Sequence, residues 1–534
     1  MILRRASLLR PLLALFIASS LVLWLYIWVF DPLAKHEWWR KFKLGWTSPD
    51  AEFAFVQHPE AAALGHPTFE DARRHEWDLP QHHLARLGAK AGPRPKYLFF
   101  SAASWGSGWN NVLQEQLINA HLAHATDRAY VFPSFTPRDH PPFPDIVDDG
   151  EGQSHRRFLE IPFTAMLAGA IGGGPLSADG TSDPLTRRSV SEAHWDIVCP
   201  VWSRYYINVK DMRKAEHHEE HTDAEQIMAY WVDKLRRINT PCVSLTKWSV
   251  FDYLQVVFVF LIWLLADLTR LRNIGGPQIL SLWPTGYGDS PILKHFAWSP
   301  LITQALSENW ALLSSVPPPP SLSTDHSSAN PFILHPPYPA SSPSIPHLLA
   351  VHVRRGDYEG HCQFLADVNA QYNAWNALGE PAPARPSPRA GFRSAIPANY
   401  TWPRIPDHLD VRAGESGRDA RVRHCWPTLE QIVAKVRAVR TRAPGLERVY
   451  VATDGERAWV GALAARLKRD GWREVVSSFD VRLSREQFAV SQAVDMSVLA
   501  AAEEFIGDGF SSLSSNVVQI RLAAGKDAQT IHFW

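Results

Sequence analysis

Residues 347–358 read HLLAVHVRRGDY and combine an apolar run with a charged loop. Residues 348–351 are apolar and have the length of a buried strand. Arg354, Arg355 and Asp357 follow at once, so the strand would deliver two guanidiniums and a carboxylate to one loop. A guanidinium can hold two phosphate oxygens and stays charged at physiological pH. The stretch therefore predicts a site for an anion such as a diphosphate, with a solvated surface ion pair as the alternative.

Strands alternate with helices on both sides of this stretch. The patterns predict strands at residues 97–100, 129–132 and 448–454 and one beginning at Glu504, and helices at residues 112–125, 426–440, 458–468, 494–502 and 515–522. This alternation indicates an α/β fold with parallel, helix-covered sheets, which bind ligands beyond the carboxyl ends of their strands.

Three further motifs lie where such strands end. SAASWGSGWNN, residues 101–111, is a glycine-rich loop between a strand and a helix, which can surround an anion with backbone N–H groups. Tight turns without a ligand use the same residues. VYVATD, residues 449–454, and FIGDGFSS, residues 505–512, each run from a strand into a polar loop.

Together these motifs resemble the signatures of GDP-fucose-dependent fucosyltransferases, the group of protein O-fucosyltransferases and core α1,6 enzymes. HVRRGDY is similar to their H-x-R-R-x-D motif, GSGWNN to their G-x-x-N loop, VYVATD to YLATDD, and FIGDGFSS to F-x-x-x-F-S-S. The resemblance implies a GT-B fold, in which two Rossmann-like domains face a cleft, and an inverting transfer of fucose from GDP-fucose to a protein or glycan hydroxyl.

The resemblance also implies roles for individual residues. Arg354 would grip the β-phosphate, and Asn110 would lie beside the fucose and the bond that breaks. The remaining nucleotide-sugar-binding candidates are Gly106, Gly108, Asn111, His352, Arg355, Asp357, Asp454, Phe510, Ser511 and Ser512.

The chain departs from the family where a catalytic base is expected. Ser107 replaces the glutamate that some relatives carry in the glycine-rich loop, and Cys362 stands where core-type enzymes keep a glutamate. Glu359 and Asp357 are the remaining candidates, and the departing phosphate could itself accept the proton. An inactive glycan- or peptide-binding protein and a glycosyltransferase for another nucleotide sugar are therefore alternative functions.

The amino-terminal residues indicate a membrane protein. Residues 11–30 contain no charged side chain and are long enough to span a bilayer as a helix. Arginines precede this run, which predicts a cytosolic tail at residues 1–10 and a lumenal remainder, with a cleaved signal peptide as the alternative. Residues 31–92 are interpreted as a stem. This is the layout of a type II membrane protein of the Golgi or endoplasmic reticulum.

The amino-acid composition predicts the boundaries of the domains that follow the stem. We expect Rossmann-like domains at residues 93–313 and 347–534, joined by a Pro- and Ser-rich linker at residues 314–346. LQVVFVFLIWLLA, residues 254–266, is short for a membrane span and is either a core segment or an error in the gene model.

Cysteines, a sequon and the overall charge complete the expectations. Four cysteines in a lumen allow three disulfide connectivities, of which pairing within each domain, Cys199 with Cys242 and Cys362 with Cys425, is favoured. Asn399 begins an N-glycosylation sequon. The 54 basic and 54 acidic residues cancel, which gives no general attraction to nucleic acid. No D-x-D triplet occurs, so neither a metal ion nor another cofactor is expected besides the donor substrate.

Overall fold

A computed structural model of the protein describes residues 66–91, 94–101, 108–136, 145–148, 154–157, 160–177, 179–180, 182–209, 223–246, 277–322, 344–379 and 392–534. The predicted anchor, the apolar segment 254–266, Gly106 and Ser107 lie outside these ranges. Within them, no helix combines the length and the hydropathy that crossing a bilayer requires. Residues Glu60–Trp534 form one compact unit.

Two parallel sheets dominate this mixed α/β unit. The first contains five described strands in the order β6-β2-β1-β8-β7. Their bounds are β1 Tyr97–Phe100, β2 Ala129–Phe132, β6 Val190–Ser191, β7 Tyr205–Asn208 and β8 Cys242–Thr246. All neighbouring pairs in this sheet run parallel.

The second sheet has five described strands in the order β12-β11-β10-β13-β14, again all parallel. Their bounds are β10 Ile345–His352, β11 Arg448–Ala452, β12 Glu474–Ser477, β13 Ala502–Gly507 and β14 Ile531–Phe533. The chain order reverses between β10 and β13, which is the position at which open α/β sheets bind ligands.

Helices cover both sheets, and two antiparallel strand pairs lie outside them. The helices are α1 Phe69–Asp78, α2 Trp109–Ala125, α3 Glu192–Val198, α4 Ala224–Arg237, α5 Pro291–Lys294, α6 Pro300–Glu308, α7 Trp310–Leu313, α8 Tyr358–Asp367, α9 Gly417–Cys425, α10 Leu429–Arg442, α11 Arg457–Arg469, α12 Arg485–Ala489, α13 Ser491–Ala501 and α14 Ser512–Ala523. The strand pairs are β3 Asp145–Asp148 with β4 Ser154–Arg157, and β5 Leu167–Gly169 with β9 Phe296–Trp298.

The predicted strands and helices in the described ranges are confirmed, with shifted helix ends. Helix α10 begins three residues later than predicted because Thr428 caps it. The Thr428 hydroxyl accepts from Gln431 N at 3.3 Å, and Gln431 Oε1 accepts from Thr428 N at 2.7 Å. Such a reciprocal pair satisfies N–H groups that a helix leaves unpaired at its start.

The predicted stem at residues 31–92 is too long, because its last part belongs to the globular unit. Helix α1 buries Phe69 and Ala72 in the main core. Beyond it, the Gln81 amide donates to the carbonyls of Gly173 at 2.9 Å and Ser189 at 2.6 Å. Most side chains of α1 are polar, so its few buried positions produce no hydrophobic periodicity in the sequence.

Candidate functional site

Three loops converge at the carboxyl ends of β10, β11 and β13. Arg354 follows β10, Asp454 follows β11, and Asp508 follows β13. The last register pair between β10 and β13 joins Val351 to Ile506, so the loops of Arg354 and Asp508 leave the sheet side by side. The chain order of the strands reverses between β10 and β13. Open α/β sheets bind ligands in the crevice at such a position.

The loop after β10 turns sharply against Asp454. Arg355 N donates to Asp454 Oδ1 at 2.6 Å. Gly356 has a φ of +55°, and a Cβ at this position would lie 3.2 Å from Asp454 Oδ2. A side chain at Gly356 would therefore be both strained and crowded. Arg354 and Arg355 directly precede this turn, and their side chains have different surroundings.

The guanidinium of Arg354 is directed to solvent. Its side chain is 44% exposed, and its nearest carboxylate oxygens, on Asp357 and Asp454, are both 3.9 Å away. The guanidinium carbon lies 4.6 Å from the centre of the Tyr358 ring. Contacts of this length are weak at a surface. Arg354 can therefore turn toward an anion without losing strong partners.

Arg355 is buried in this structure, and its part in binding the nucleotide stays a prediction. Its guanidinium carbon lies 4.2 Å from the Trp426 ring and 4.5 Å from the Trp459 ring. One Nη donates to the carbonyl of Pro427. Burial lowers the pKa of Arg355 to about 10, so the group stays charged at neutral pH. The indoles and the Pro427 carbonyl thus hold the side chain, while its Nε and the other Nη are buried without a hydrogen-bond partner among the described residues.

His352 also lies behind the site rather than in it. The ring is buried, and its Nδ1 is 2.9 Å from Ser514 Oγ. The same hydroxyl accepts from Asp508 N at 3.0 Å, so Ser514 links the ring to the loop of Asp508. Burial, assisted by the charge of Arg354, lowers the pKa of His352 to about 3. The predicted nucleotide ligand is therefore a neutral core side chain that supports the loop of Asp508.

Asp508 belongs to the site but was not a predicted site residue. Its Oδ1 accepts from Phe510 N at 2.8 Å, while its buried Oδ2 has no hydrogen-bond partner among the described residues. Burial raises the pKa of this carboxyl to about 7 against the opposing effect of Arg354 and Arg355. The motif FIGDGFSS contains this residue, and an acidic side chain directly after a buried strand was the available signal.

The loop after Asp508 presents the start of a long helix. Ser511 caps α14, and its hydroxyl accepts from Leu513 N at 3.2 Å. The Asn376 amide holds the loop by donating to the carbonyls of Gly509 at 2.9 Å and Ser511 at 3.1 Å. Ser512 is the first helical residue. Free N–H groups and the dipole make a helix start favourable for an anion.

Phe510 does not offer an open face for a ligand. The ring is buried and packs edge to face on Tyr372, with ring centres 5.3 Å apart. Its contribution to the site is its backbone N–H, which binds Asp508. The prediction that Phe510 contacts the nucleotide sugar is therefore replaced by a role in shaping the loop.

Asn110, on α2 of the first sheet, is hydrogen-bonded to two helices of the second sheet. Asn516 Nδ2, on α14, donates to Asn110 O at 2.8 Å and to Asn110 Oδ1 at 3.3 Å. Asn110 Nδ2 donates to Gln492 Oε1, on α13, at 3.3 Å. The glycine-rich loop of the first sheet therefore ends against the helix that begins at Ser512. The Asn110 amide is engaged by these partners, whereas catalysis was its predicted role.

The other predicted site residues are placed as follows. Gly108 is the cap residue of α2, and Asn111 N donates to its carbonyl at 3.0 Å. The side chain of Asp357 is 93% exposed, and Glu359 is exposed on the first turn of α8. Neither carboxylate is buried in the way that would tune it as a general base. Cys362, which replaces a glutamate of core-type enzymes, is bonded to another cysteine.

The structure contains both predicted disulfides and describes the sequon asparagine. The bonds join Cys199 to Cys242 and Cys362 to Cys425, so each lies within one half of the chain. The second bond ties α8 to α9, next to the Trp426 that stacks on Arg355. Asn399 is exposed. Within the described ranges, no group of three or more His, Cys, Asp or Glu side chains is arranged to hold a metal ion.

Comparisons with known proteins gave matches in structure only. No family profile matches the sequence, and no curated protein sequence is similar to it. A crystal structure of POFUT1 in complex with GDP matches with a TM-score of 0.41 and 15% identity, over 83% of this chain and 98% of that one. POFUT1 in complex with GDP-fucose matches with a TM-score of 0.41 and 16% identity, over 84% of this chain and 99% of that one. The apo form of POFUT1 matches with a TM-score of 0.40 and 16% identity, over 83% and 99%.

Proposed function

We propose that the protein is a GDP-fucose-dependent fucosyltransferase that transfers fucose to a protein or glycan hydroxyl with inversion. The observation that carries the proposal is the exposed guanidinium of Arg354 at the reversal point of a parallel sheet. It lies in the loop whose sequence resembles the fucosyltransferase signature. The two sheets would be the halves of a GT-B fold, and the amino-terminal segment would anchor a lumenal enzyme in the Golgi or endoplasmic reticulum membrane.

The proposed chemistry is stabilisation of a departing diphosphate. As the bond from fucose to the β-phosphate breaks, negative charge grows on the phosphate oxygens. Arg354 would approach them from one side, and the positive end of the α14 dipole from the other. Fixed donors aimed at developing charge commonly supply the largest part of a rate enhancement. The hydroxyl proton of the acceptor would pass to Asp357, Glu359 or the phosphate itself.

The first prediction tests Arg354. We expect Arg354→Ala to reduce the rate of GDP release from GDP-fucose by about 10²–10³-fold, the cost of one fixed donor to developing charge. The measurement is a GDP-release assay with a panel of protein and glycan acceptors. Arg473→Ala is the matched control, because Arg473 is an exposed arginine of the same sheet region that pairs with Glu447 at 3.2 Å. Equal turnover by wild type and Arg354→Ala would contradict the assignment.

An inactive binding protein is the second candidate. It is favoured by the disulfide at Cys362, which excludes a base at the position that core-type enzymes use. Calorimetry with GDP-fucose separates the candidates, because binding without turnover for any acceptor would support the inactive protein. Binding of another nucleotide sugar in preference to GDP-fucose would instead change the proposed donor.

A further inference from the structure

The carboxyl of Asp508 is held rigidly at the proposed diphosphate site. The backbone on either side is fixed, since Asp508 N donates to Ser514 Oγ at 3.0 Å and the Asn376 amide donates to Gly509 O at 2.9 Å. Phe510 N fixes Oδ1 at 2.8 Å. Oδ2 is buried and has no hydrogen-bond partner among the described residues. A buried oxygen without a partner is costly, and most of all when the carboxyl is ionised.

Charged and titratable groups surround this carboxyl. Arg354, Arg355 and Tyr358 of α8 interact with Asp508 directly, while His352 of β10 interacts with Arg354, and Asp454 after β11 interacts with Arg355 and Tyr358. His352 and Tyr358 are uncharged at neutral pH, because burial lowers the pKa of the first to about 3 and raises that of the second well above its usual value.

Arg354 has two carboxylates near its guanidinium. Oxygens of two carboxylates, Asp357 and Asp454, lie 3.9 Å from its guanidinium, and Arg355 is buried against the Trp426 ring. An ionised Asp508 would add a third negative charge, held in place and buried. A diphosphate that bound beside Arg354 would then meet an unpaired acceptor, and both repulsion and the lost hydrogen bond would oppose binding.

We propose that Asp508 is a specificity-determining residue that carries a proton when the donor is bound and donates a hydrogen bond from Oδ2 to a phosphate oxygen. The inference rests on the proposed function, since it names how the same site distinguishes a diphosphate. One proton is taken from solvent for each donor that binds above the pKa of the free carboxyl. No covalent bond of the donor changes in this step. The same proton makes the site selective for groups that accept hydrogen bonds.

Calorimetry of GDP-fucose with the full-length chain is the second prediction and tests this proposal directly. Both phosphates of GDP-fucose are esterified, so neither gains a second proton near pH 6 as a terminal phosphate does. Titrations in two buffers of different ionisation enthalpy, neither of them phosphate, yield the number of protons taken up. Since burial raises the pKa of Asp508 to about 7, we expect uptake to approach one proton at about pH 8.5 and to vanish at about pH 5.5. Affinity should fall about tenfold for each pH unit above the pKa.

Two variants identify the group that takes up the proton. Asp508→Asn keeps the shape and places an amide N–H at the position of Oδ2, because Phe510 N selects the oxygen for the other position. We expect it to bind GDP-fucose without proton uptake and with affinity independent of pH. Asp495→Asn is the matched control. Asp495 is a second buried carboxyl, with its pKa raised to about 6, but its oxygens accept from Tyr450 at 2.5 Å and Ser478 at 3.0 Å. This variant should retain the proton uptake of wild type.

The outcomes separate this inference from the proposed function. Binding of GDP-fucose to wild type without proton uptake at about pH 8.5 would overturn the role of Asp508 and leave the fucosyltransferase assignment intact. Uptake that persists in Asp508→Asn would do the same. Failure of wild type to bind any nucleotide sugar would overturn both. Because the wild-type titration alone can refute the inference, the test does not depend on how well a variant folds.

Discussion

At the scale of single residues, neighbouring arginines in one loop have opposite physical situations. Arg354 is exposed and has only distant ionic partners, whereas Arg355 is buried between two indoles and bonded to the Pro427 carbonyl. Burying a guanidinium is tolerable here because aromatic faces and a carbonyl replace water around it. One arginine can therefore bind a ligand while the other holds the loop.

This difference leads to the third prediction, which concerns stability. Arg355→Ala should lower the free energy of unfolding by about 2–3 kcal/mol, because it removes two desolvated cation–π contacts and leaves a cavity. Arg354→Ala is its matched control and should change the same quantity by less than about 0.5 kcal/mol, since an exposed and loosely paired arginine contributes little. Urea denaturation of both variants measures the effect. Equal losses in the two would refute the assigned roles.

At the scale of elements, the site depends on helix starts that are held in place from outside. Helix α14 points its first N–H groups at the site because Ser511 caps it and Asn376 fixes its loop. Helix α8 follows the arginine loop directly, and the disulfide from Cys362 to Cys425 joins it to α9. Trp426 and Pro427, which enclose Arg355, come directly after that disulfide. The bond therefore positions the support of the arginine loop.

Removal of the disulfides one at a time is the fourth prediction. The chain segments between the paired cysteines span 63 and 43 residues, so the entropy of the unfolded chain assigns each bond a similar contribution, about 4 kcal/mol. Replacing Cys362 and Cys425 by alanine should lower both stability and affinity for GDP-fucose. Replacing Cys199 and Cys242 should lower stability alone.

The two double variants control for each other. Urea denaturation gives their stabilities, and calorimetry at a temperature where both remain folded gives their affinities. A similar loss of affinity in both variants would show that the bond at Cys362 has no particular effect on the site.

At the scale of the whole molecule, contacts between helices of the two sheets assemble the site. Helix α2 leaves the first sheet's glycine-rich loop and is buried on almost every side, and Asn110 near its start binds Asn516 of α14 and Gln492 of α13. A loop of one sheet is thereby brought to the carboxyl ends of the other. Burial of Asn110 makes replacement of its amide costly, because Gln492 would lose a donor and Asn516 the side-chain one of its two acceptors.

The fifth prediction concerns the side of the membrane on which the molecule folds. If the globular part is lumenal, the exposed Asn399 should carry an N-linked glycan. Asn399→Gln and Thr401→Ala should each abolish a mobility shift that endoglycosidase treatment removes from wild type. Thr401→Ala keeps the asparagine and so isolates the sequon. An unglycosylated wild-type protein expressed in a secretory host would contradict the lumenal placement.

Local patterns were sufficient to predict β1, β2, β10, β11 and β13 and the loops at which Arg354, Asp454 and Ser511 lie, but not the edge strands or β8. These features follow from apolar runs and turn residues that are adjacent in the chain. The resemblance assigned the β-phosphate to Arg354, but the sequence did not show that Arg355 is buried, because Pro427, whose carbonyl binds it, is 72 residues away. Burial of His352 by Ser514, 162 residues distant, and the unpartnered oxygen of Asp508 likewise arise only when β10 and β13 lie side by side. Burial depends on all the chain segments around a side chain, so only the tertiary structure decides which polar groups face a ligand and which are enclosed.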